Sequence, residues 1–570
     1  MSSSARAVRT GFRLAAIVLG FLQAWALRFY IEPDGVNYFD IAGAYLRRDW
    51  NNALNAYWSP LYSWLLTLIQ WTVHPSPYLE STFLHLLNFV LFLLALASFE
   101  FFFRRLLSLV MVFCPQEGDN EGQPEWAWWT LGYTAFLVCT LRLITLGSDS
   151  PDMALAAVLF LATGVLIDLG QSDRSTLHYV FLGLVLGVGY LAKGVMLPLS
   201  LVYIGAAASA RRGFRRPDWR ALGTLGGFLL IATPFAVALS HAKGRLTFGD
   251  TGRVAYFNQV TPIPLSEAAS SNFTHRPLRL FDDPPVYMYV TPFTSTYPAW
   301  YDGSYWLEGV KPRFVLRDQL RALARAASNY FHIFSTEKQW IAGWLVFVFL
   351  AGDWRRALER IFKVWFLWLP SVAAIALYAL VLVEPRYVAV GLAVICLSLF
   401  ATVPWPCINA ARNVGVAVVL AVSGTSGVAL VKDGVTNLAV CLQPTRNTQW
   451  EVAQGLLKMG LAPGDQVAFL GHTTVADYWA HLAGFRVTAD IPLEDMLSYW
   501  LAKPYTREQI ASRLRAQGIK ALATAETPLV PLNWRSIGDT GYYIQMLDRP
   551  LSAGFRETPK QGPGAFVNKP

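Results

Sequence analysis

Apolar runs of about twenty residues, broken by short basic or polar stretches, dominate this chain. A run of that length is what an α-helix needs to cross the hydrocarbon core of a bilayer. About eleven candidate spans follow from the length rule, at 11–30, 79–103, 127–147, 152–170, 178–192, 195–210, 221–240, 338–352, 361–383, 387–404 and 412–431, the fifth and sixth short enough to form one broken pair. Backbone groups in lipid must be bonded within the segment or within a closed barrel. The expected fold is therefore an α-helical polytopic membrane protein. Composition agrees: 54% of the 570 residues are hydrophobic and 15% charged, whereas soluble domains average about 45–50% and 25%. Soluble enzyme, disordered tail, collagen and coiled coil are all disfavoured on these grounds.

The formal net charge of +9 would suit a nucleic-acid partner, but the positions of the basic residues give another reason for it. They cluster at alternate breaks: Arg6, Arg9 and Arg13; Arg104 and Arg105; Arg211, Arg212, Arg215, Arg216 and Arg220; Arg355, Arg356, Arg360 and Lys363. With the spans counted as above, all four clusters share one side, which the positive-inside rule makes cytoplasmic. The N-terminus is then inside, the C-terminus outside, and no nucleic acid is needed. The first apolar run is longer than a signal-peptide core and lacks a small-residue cleavage site, so it reads as the first span. The five cysteines, Cys114, Cys139, Cys396, Cys407 and Cys441, form no CxxC and give neither a disulfide framework nor zinc spacing.

Two domains are expected: a membrane domain over 1–435, with outer loops at 31–78 and 241–337, and a small extracytoplasmic α/β domain over 440–570. In the first loop, Val36 to Leu54 has helical apolar spacing, and Leu61 to Val73 reads as an interfacial helix. The second loop is rich in aromatic residues, as in Tyr297-Pro298-Ala299-Trp300-Tyr301, and carries the sequon Asn272-Phe273-Thr274. In the tail, helical patterns at Thr448–Met459, Val475–Leu482 and Arg507–Gln517 alternate with strand patterns at Gln466–Leu470, Arg486–Ile491, Lys520–Ala525 and Tyr542–Leu547. The stretch Phe469-Leu470-Gly471-His472-Thr473 has no phosphate-loop fingerprint, which disfavours nucleotide binding.

Ionisable residues near membrane-helix ends are few and costly, and so tend to be functional. Four groups fall at the outer ends of the spans: Glu32 and Asp34; Asp149 and Asp152; Lys193; and Glu384, Arg386 and Tyr387. Each has a structural reading when taken singly. Asp152 would complement a helix N-terminus, Lys193 and Arg386 would snorkel to headgroups, and Glu384 would pair with Arg386. Together they suit group transfer from a lipid phosphate: a carboxylate takes the acceptor's proton, and fixed cations stabilise the leaving phosphate. Aromatic rings such as Tyr38 and those of the second loop suit carbohydrate.

The Asp34 segment, Trp58-Ser59-Pro60-Leu61-Tyr62, Ser150-Pro151-Asp152-Met153, Gly189-Tyr190-Leu191-Ala192-Lys193-Gly194 and Glu384-Pro385-Arg386-Tyr387 together resemble GT-C superfamily glycosyltransferases, in particular the protein O-mannosyltransferase and lipid A aminoarabinose transferase branch. The resemblance covers residues 10–430. It implies a polyprenyl-phosphate sugar donor, a glycan, lipid or protein acceptor, transfer with inversion on the extracytoplasmic face, and residence among the lipids of a bacterial cytoplasmic (inner) membrane. It also implies Asp34 as base, Asp152 as the acid opening the fourth span, and Lys193 and Arg386 near the lipid phosphate. Glu32, Glu384, Tyr387 and Tyr38 are further candidates for substrate contact, and Asp149 is a further catalytic candidate. Family members often follow the first-loop Asp with Glu, whereas Gly35 stands here, leaving Glu32 as the nearest acid. No cofactor is required; the carboxylates leave a divalent cation, Mg²⁺ or Mn²⁺, as an option.

Two other classes compete. A transporter or flippase would place charges near the bilayer midplane and show paired repeats. This chain has its charges toward one face and no repeat, and only the break at Lys193-Gly194 fits. A noncatalytic envelope scaffold would bind glycan without consuming a lipid-linked sugar.

Overall fold

The computed structural model describes residues 3–113, 124–211, 213, 216–311, 313–352, 354–403, 409–471, 477–531 and 533–547. Arg212, Arg215, Cys114, Cys407, His472, Thr473, the start of the expected 475–482 helix and the tail beyond 547 lie outside them.

All eleven expected apolar segments are helical, as α1 (Ser3–Ala26), α4 (Glu80–Phe113), α5 (Glu125–Leu137, running on into a π-turn at Val138–Ile144), α6 (Asp152–Gln171), α7 (Thr176–Ala192), α8 (Met196–Ser209), α9 (Ala221–Ala242), α11 (Lys338–Ala351), the bent pair α12 (Trp354–Lys363) and α13 (Trp365–Ala379), α14 (Pro385–Thr402) and α15 (Asn409–Leu442). Among the described residues, seven helices are long and apolar enough to cross a bilayer, and eight if the α12–α13 pair, bent by 79°, counts as one. The other three, α7, α8 and α11, have 17, 14 and 14 residues. At about 1.5 Å per residue they fall short of a hydrocarbon core of about 30 Å. Length therefore supports seven or eight crossings where the apolar pattern suggested eleven. Outside this set lie α2 (Pro33–Leu46) and α3 (Pro60–Val73) in the first loop, and α10 (Leu316–Thr336) closing the second.

Three of the four basic breaks meet at one end of the bundle. Arg9, Arg13 and Arg104 converge on the buried Glu100, Arg105 pairs with Asp168 at 3.1 Å, and Arg211 and Arg220 share Asp173 at 3.2 and 2.7 Å. These contacts tie the ends of α1, α4, α6, α8 and α9 together and leave the acid-bearing loops to the other end.

A seven-stranded sheet is built from β1 (Leu278–Asp282), β2 (Pro285–Met288), β3 (Gln466–Leu470), β4 (Arg486–Ile491), β5 (Ile519–Thr524), β6 (Arg535–Ser536) and β7 (Tyr543–Met546), in the order β1-β2-β4-β3-β5-β7-β6. The centre, β4-β3-β5, is parallel and flanked by antiparallel pairings. Its strands read as near-continuous apolar runs because both faces are covered, with Val467, Phe469 and Val487 on the large core and Leu470, Ile491 and Leu522 on a second one. The tail also supplies helices α16 (Thr448–Lys458), α17 (Tyr478–Ala483) and α18 (Pro504–Ala516). Two strands come from the 241–337 loop, so that loop and the tail share one sheet and are fixed relative to each other.

Candidate functional site

Three helices begin where the acids lie. Glu32 precedes α2 in extended conformation with Pro33 at the first helical position, and Glu384 precedes α14 in the same way with Pro385. Proline there has no amide to leave unpaired and holds the preceding residue extended. Asp152 opens α6 after Pro151. The positive ends of the three helix dipoles offset part of the negative charge gathered here.

Arg386 links the groups. Its Nε donates to Glu384 Oε2 at 2.9 Å, and its Nη1 to Ser148 Oγ at 2.7 Å and Glu32 Oε2 at 3.3 Å. Its Nη2 lies 3.8 Å from Asp34 Oδ2 and its Nε 3.8 Å from Asp152 Oδ2. Lys193 Nζ, at the C-terminal end of α7, donates to Asp152 Oδ1 at 2.5 Å and sits 3.8 Å from the centre of the Tyr387 ring. Ser150 Oγ donates to Asp152 Oδ2 at 2.8 Å. Residues from four separated stretches thus share one cluster, with Glu32, Asp34, Asp152, Lys193, Glu384, Arg386 and Tyr387 in it.

Asp149 and Tyr38 stand behind the cluster. Asp149 is fully buried, and its Oδ2 accepts the Glu32 backbone N–H at 2.6 Å. Its Oδ1 faces His85 Nε2 at 3.9 Å, too far for a hydrogen bond. Tyr38 is buried edge-on against Trp58 and Tyr62, at 5.2 and 4.9 Å between ring centres.

Gly35 owes its place to this packing. A Cβ there would lie 2.9 Å from Asp149 Cβ and 3.0 Å from its Oδ2, so any side chain forces α2 away from the Ser148–Asp152 turn. Gly35→Ala is therefore expected to destabilise the protein by about 1–3 kcal/mol, the usual cost of overpacking, seen as a lowered Tm in detergent.

Burial raises the pKa of Asp34, against the lowering effects of Arg386, a Trp300 hydrogen bond and Lys193. Burial likewise raises Glu32, opposed by Arg386, and pushes Asp149 well above the ordinary carboxylate range. Lys193 is lowered by burial against the attraction of Asp152. The site thus holds a carboxylate of enhanced basicity next to two cations.

No group of three or more His, Cys, Asp or Glu side chains arranged to hold a metal ion occurs among the described residues. The carboxylates nearest the site are turned to Arg386 and Lys193, so a divalent cation does not fit them as placed.

Trp300 brings the aromatic second loop to the cluster. Its Nε1 donates to Asp34 Oδ1 at 3.4 Å, and nothing in the chain pairs position 300 with position 34. It also walls a cavity of about 220 Å³ lined by Tyr57, Phe257, His275, Tyr289, Trp300 and Trp306. The sequence reading passes over Ser148, although it adjoins Asp149.

No family model matches the chain, and no curated protein matches it. Among solved structures, the apo oligosaccharyltransferase of Archaeoglobus fulgidus is similar over 91% of this chain and 69% of its own, with a TM-score of 0.50 and 13% identity. The apo structure of ArnT from Cupriavidus metallidurans aligns over 96% of this chain and 99% of its own, with a TM-score of 0.46 and 12% identity. The first likeness shows a shared fold.

Proposed function

We propose that this chain is an integral-membrane glycosyltransferase that moves a sugar from a polyprenyl-phosphate donor to an acceptor on the extracytoplasmic face, with inversion. The observation that carries this reading is Asp34 set beside Arg386, with Trp300 on its other oxygen. Asp34 is the base. Arg386 and Lys193 hold the donor phosphate; the described hydrogen bonds of Arg386 use Nε and Nη1 and leave Nη2 for a phosphate oxygen. The acceptor oxygen bonds to the anomeric carbon as its proton passes to Asp34. The bond from that carbon to the phosphate oxygen breaks, and the electron pair leaves on polyprenyl phosphate. One displacement inverts the configuration.

Asp152 holds Lys193 in place, and Glu32 and Glu384 orient the Arg386 fork. Asp149 serves by packing, since it anchors the start of α2 through the Glu32 amide. The aromatic cavity beside Trp300 suits an acceptor with sugar rings, whose C–H faces pack on aromatic side chains. The basic end of the bundle, bearing Arg9, Arg104 and Arg220, faces the cytoplasm, and the sheet and tail lie outside, as in a bacterial inner-membrane enzyme.

The test incubates purified protein with a panel of polyprenyl-phosphate sugars and with glycan, lipid and peptide acceptors, and reads products by mass spectrometry. Covalent transfer of sugar with release of polyprenyl phosphate is expected. Movement of the lipid-linked sugar across vesicles without transfer would instead mark a flippase. Glycan binding with the donor left intact would mark a scaffold.

A further inference from the structure

A second charged cluster lies farther along α2, away from the proposed donor site. His481, on the tail helix α17, is poised between two carboxylates: its Nδ1 is 3.0 Å from Asp40 Oδ1 and its Nε2 3.1 Å from Glu80 Oε2. Asp40 belongs to α2 and Glu80 opens α4. Asp40 also grips the aromatic loop: its Oδ2 accepts from Thr296 N at 2.6 Å and its Oδ1 from Thr296 Oγ1 at 2.9 Å. The Thr296 carbonyl in turn accepts from Val487 N of β4 at 2.8 Å. Phe39 stacks on the imidazole at 5.4 Å between ring centres.

The same loop returns to α2 four residues later, where Trp300 donates to Asp34. Helix and loop are thus joined by two rungs, Asp40–Thr296 and Asp34–Trp300. Six residues of helix separate the two acids, about 9 Å at 1.5 Å per residue. His481 touches only the far rung. Because α2 is a rigid element, the orientation of the far rung sets that of the near one.

We infer that His481 is a positioning residue through which the tail braces Asp40 and the Thr296–Trp300 loop, and so holds Asp34 and Trp300 in register. The inference rests on the reading of Asp34 as the base. Two buried contacts from one ring to two carboxylates call for a doubly protonated imidazole, since only that form donates from both nitrogens. Its environment favours that form. Burial lowers the His481 pKa, but Glu80 and Asp40 outweigh it and raise it to about 10. A displacement of about 1 Å in a reacting group can cost on the order of a hundredfold in rate, which is the scale a lost brace would reach.

The test uses full-length protein in detergent and compares wild type with His481→Gln, Thr296→Val and, as a control elsewhere in the tail, Arg515→Gln. Steady-state transfer and hydrogen exchange are both measured. His481→Gln and Thr296→Val are each expected to lower kcat about ten- to a hundredfold with donor KM unchanged, while Arg515→Gln leaves both as they are. Exchange should speed up in peptides covering 33–46 and 294–301 but not in 152–171. Asp40→Asn is measured alone and combined with His481→Gln, and the double variant should cost no more than the larger single change, as expected of groups in one network. Unchanged exchange at 294–301 in His481→Gln, or a rise in KM with kcat intact, overturns the bracing role. Thr296→Val keeps the test decisive should His481→Gln fail to fold. If the wild type transfers no sugar at all, the glycosyltransferase reading falls, and the exchange data alone then decide whether His481 braces α2.

Discussion

Asp34→Asn is expected to lower sugar transfer by about 10²–10⁴-fold, the usual contribution of a positioned general base, while expression and donor binding stay close to wild type. The asparagine side chain has the same shape, and its oxygen can still accept from Trp300 Nε1, so the second-loop contact survives. The protein should not lose thermal stability. Burial disfavours the ionised form of Asp34, and a neutral amide removes that penalty together with the attraction of Arg386. The pH profile supplies a second readout. The base must be ionised to act, and burial raises its pKa above the ordinary carboxylate value. In wild type, kcat/KM should therefore fall as pH drops through a point above that ordinary value. The residual activity of Asp34→Asn should lack this limb. Turnover retained at the wild-type level in Asp34→Asn rejects Asp34 as base.

Much of this framework is legible in the sequence because membrane helices and buried strands leave strong local patterns. Each apolar run became a helix, and the tail strands at 466–470, 486–491, 519–524 and 543–546 lie within a residue or two of their alternating or apolar stretches. Lipid and core burial act on consecutive residues, so the signal is contiguous. What the chain hides is contact between distant segments. Strands Leu278–Asp282 and Pro285–Met288 sit in a polar, proline-rich loop and become strands because β4, some two hundred residues later, offers a free edge. Trp300 is one of 21 tryptophans, and only folding brings it to Asp34. Gly35 looked like the loss of a carboxylate, yet it is a steric requirement set by Asp149 from another loop. Tyr38, a candidate for substrate contact from its place in the first loop, is buried among Trp58 and Tyr62. The bend of 79° between α12 and α13 likewise carries no marker stronger than the polar run Arg355–Lys363.

Two substitutions at Arg386 should separate its charge from its shape. Arg386→Lys keeps a cation but replaces a planar fork of five N–H donors with a point charge bearing three. One ammonium with a shorter reach cannot meet Glu384, at 2.9 Å from Nε, together with Glu32 and Ser148, at 3.3 and 2.7 Å from Nη1, and still offer a donor to phosphate. Loss of a preorganised donor to a developing anion costs about 10²–10³-fold in rate. Arg386→Lys is therefore expected to lose about that much in kcat/KM for the donor, with the acid limb of the pH profile near its wild-type position. Arg386→Gln should lose at least as much and also move the limb to higher pH. The guanidinium is the foremost influence lowering the Asp34 pKa, and without it burial acts with less opposition. The carboxylates of Glu32, Asp34, Asp152 and Glu384 would then face Lys193 alone. Full activity in Arg386→Lys would mean that charge suffices and the fork has no role in holding phosphate. An unmoved acid limb in Arg386→Gln would mean that the group titrating in the profile is not Asp34.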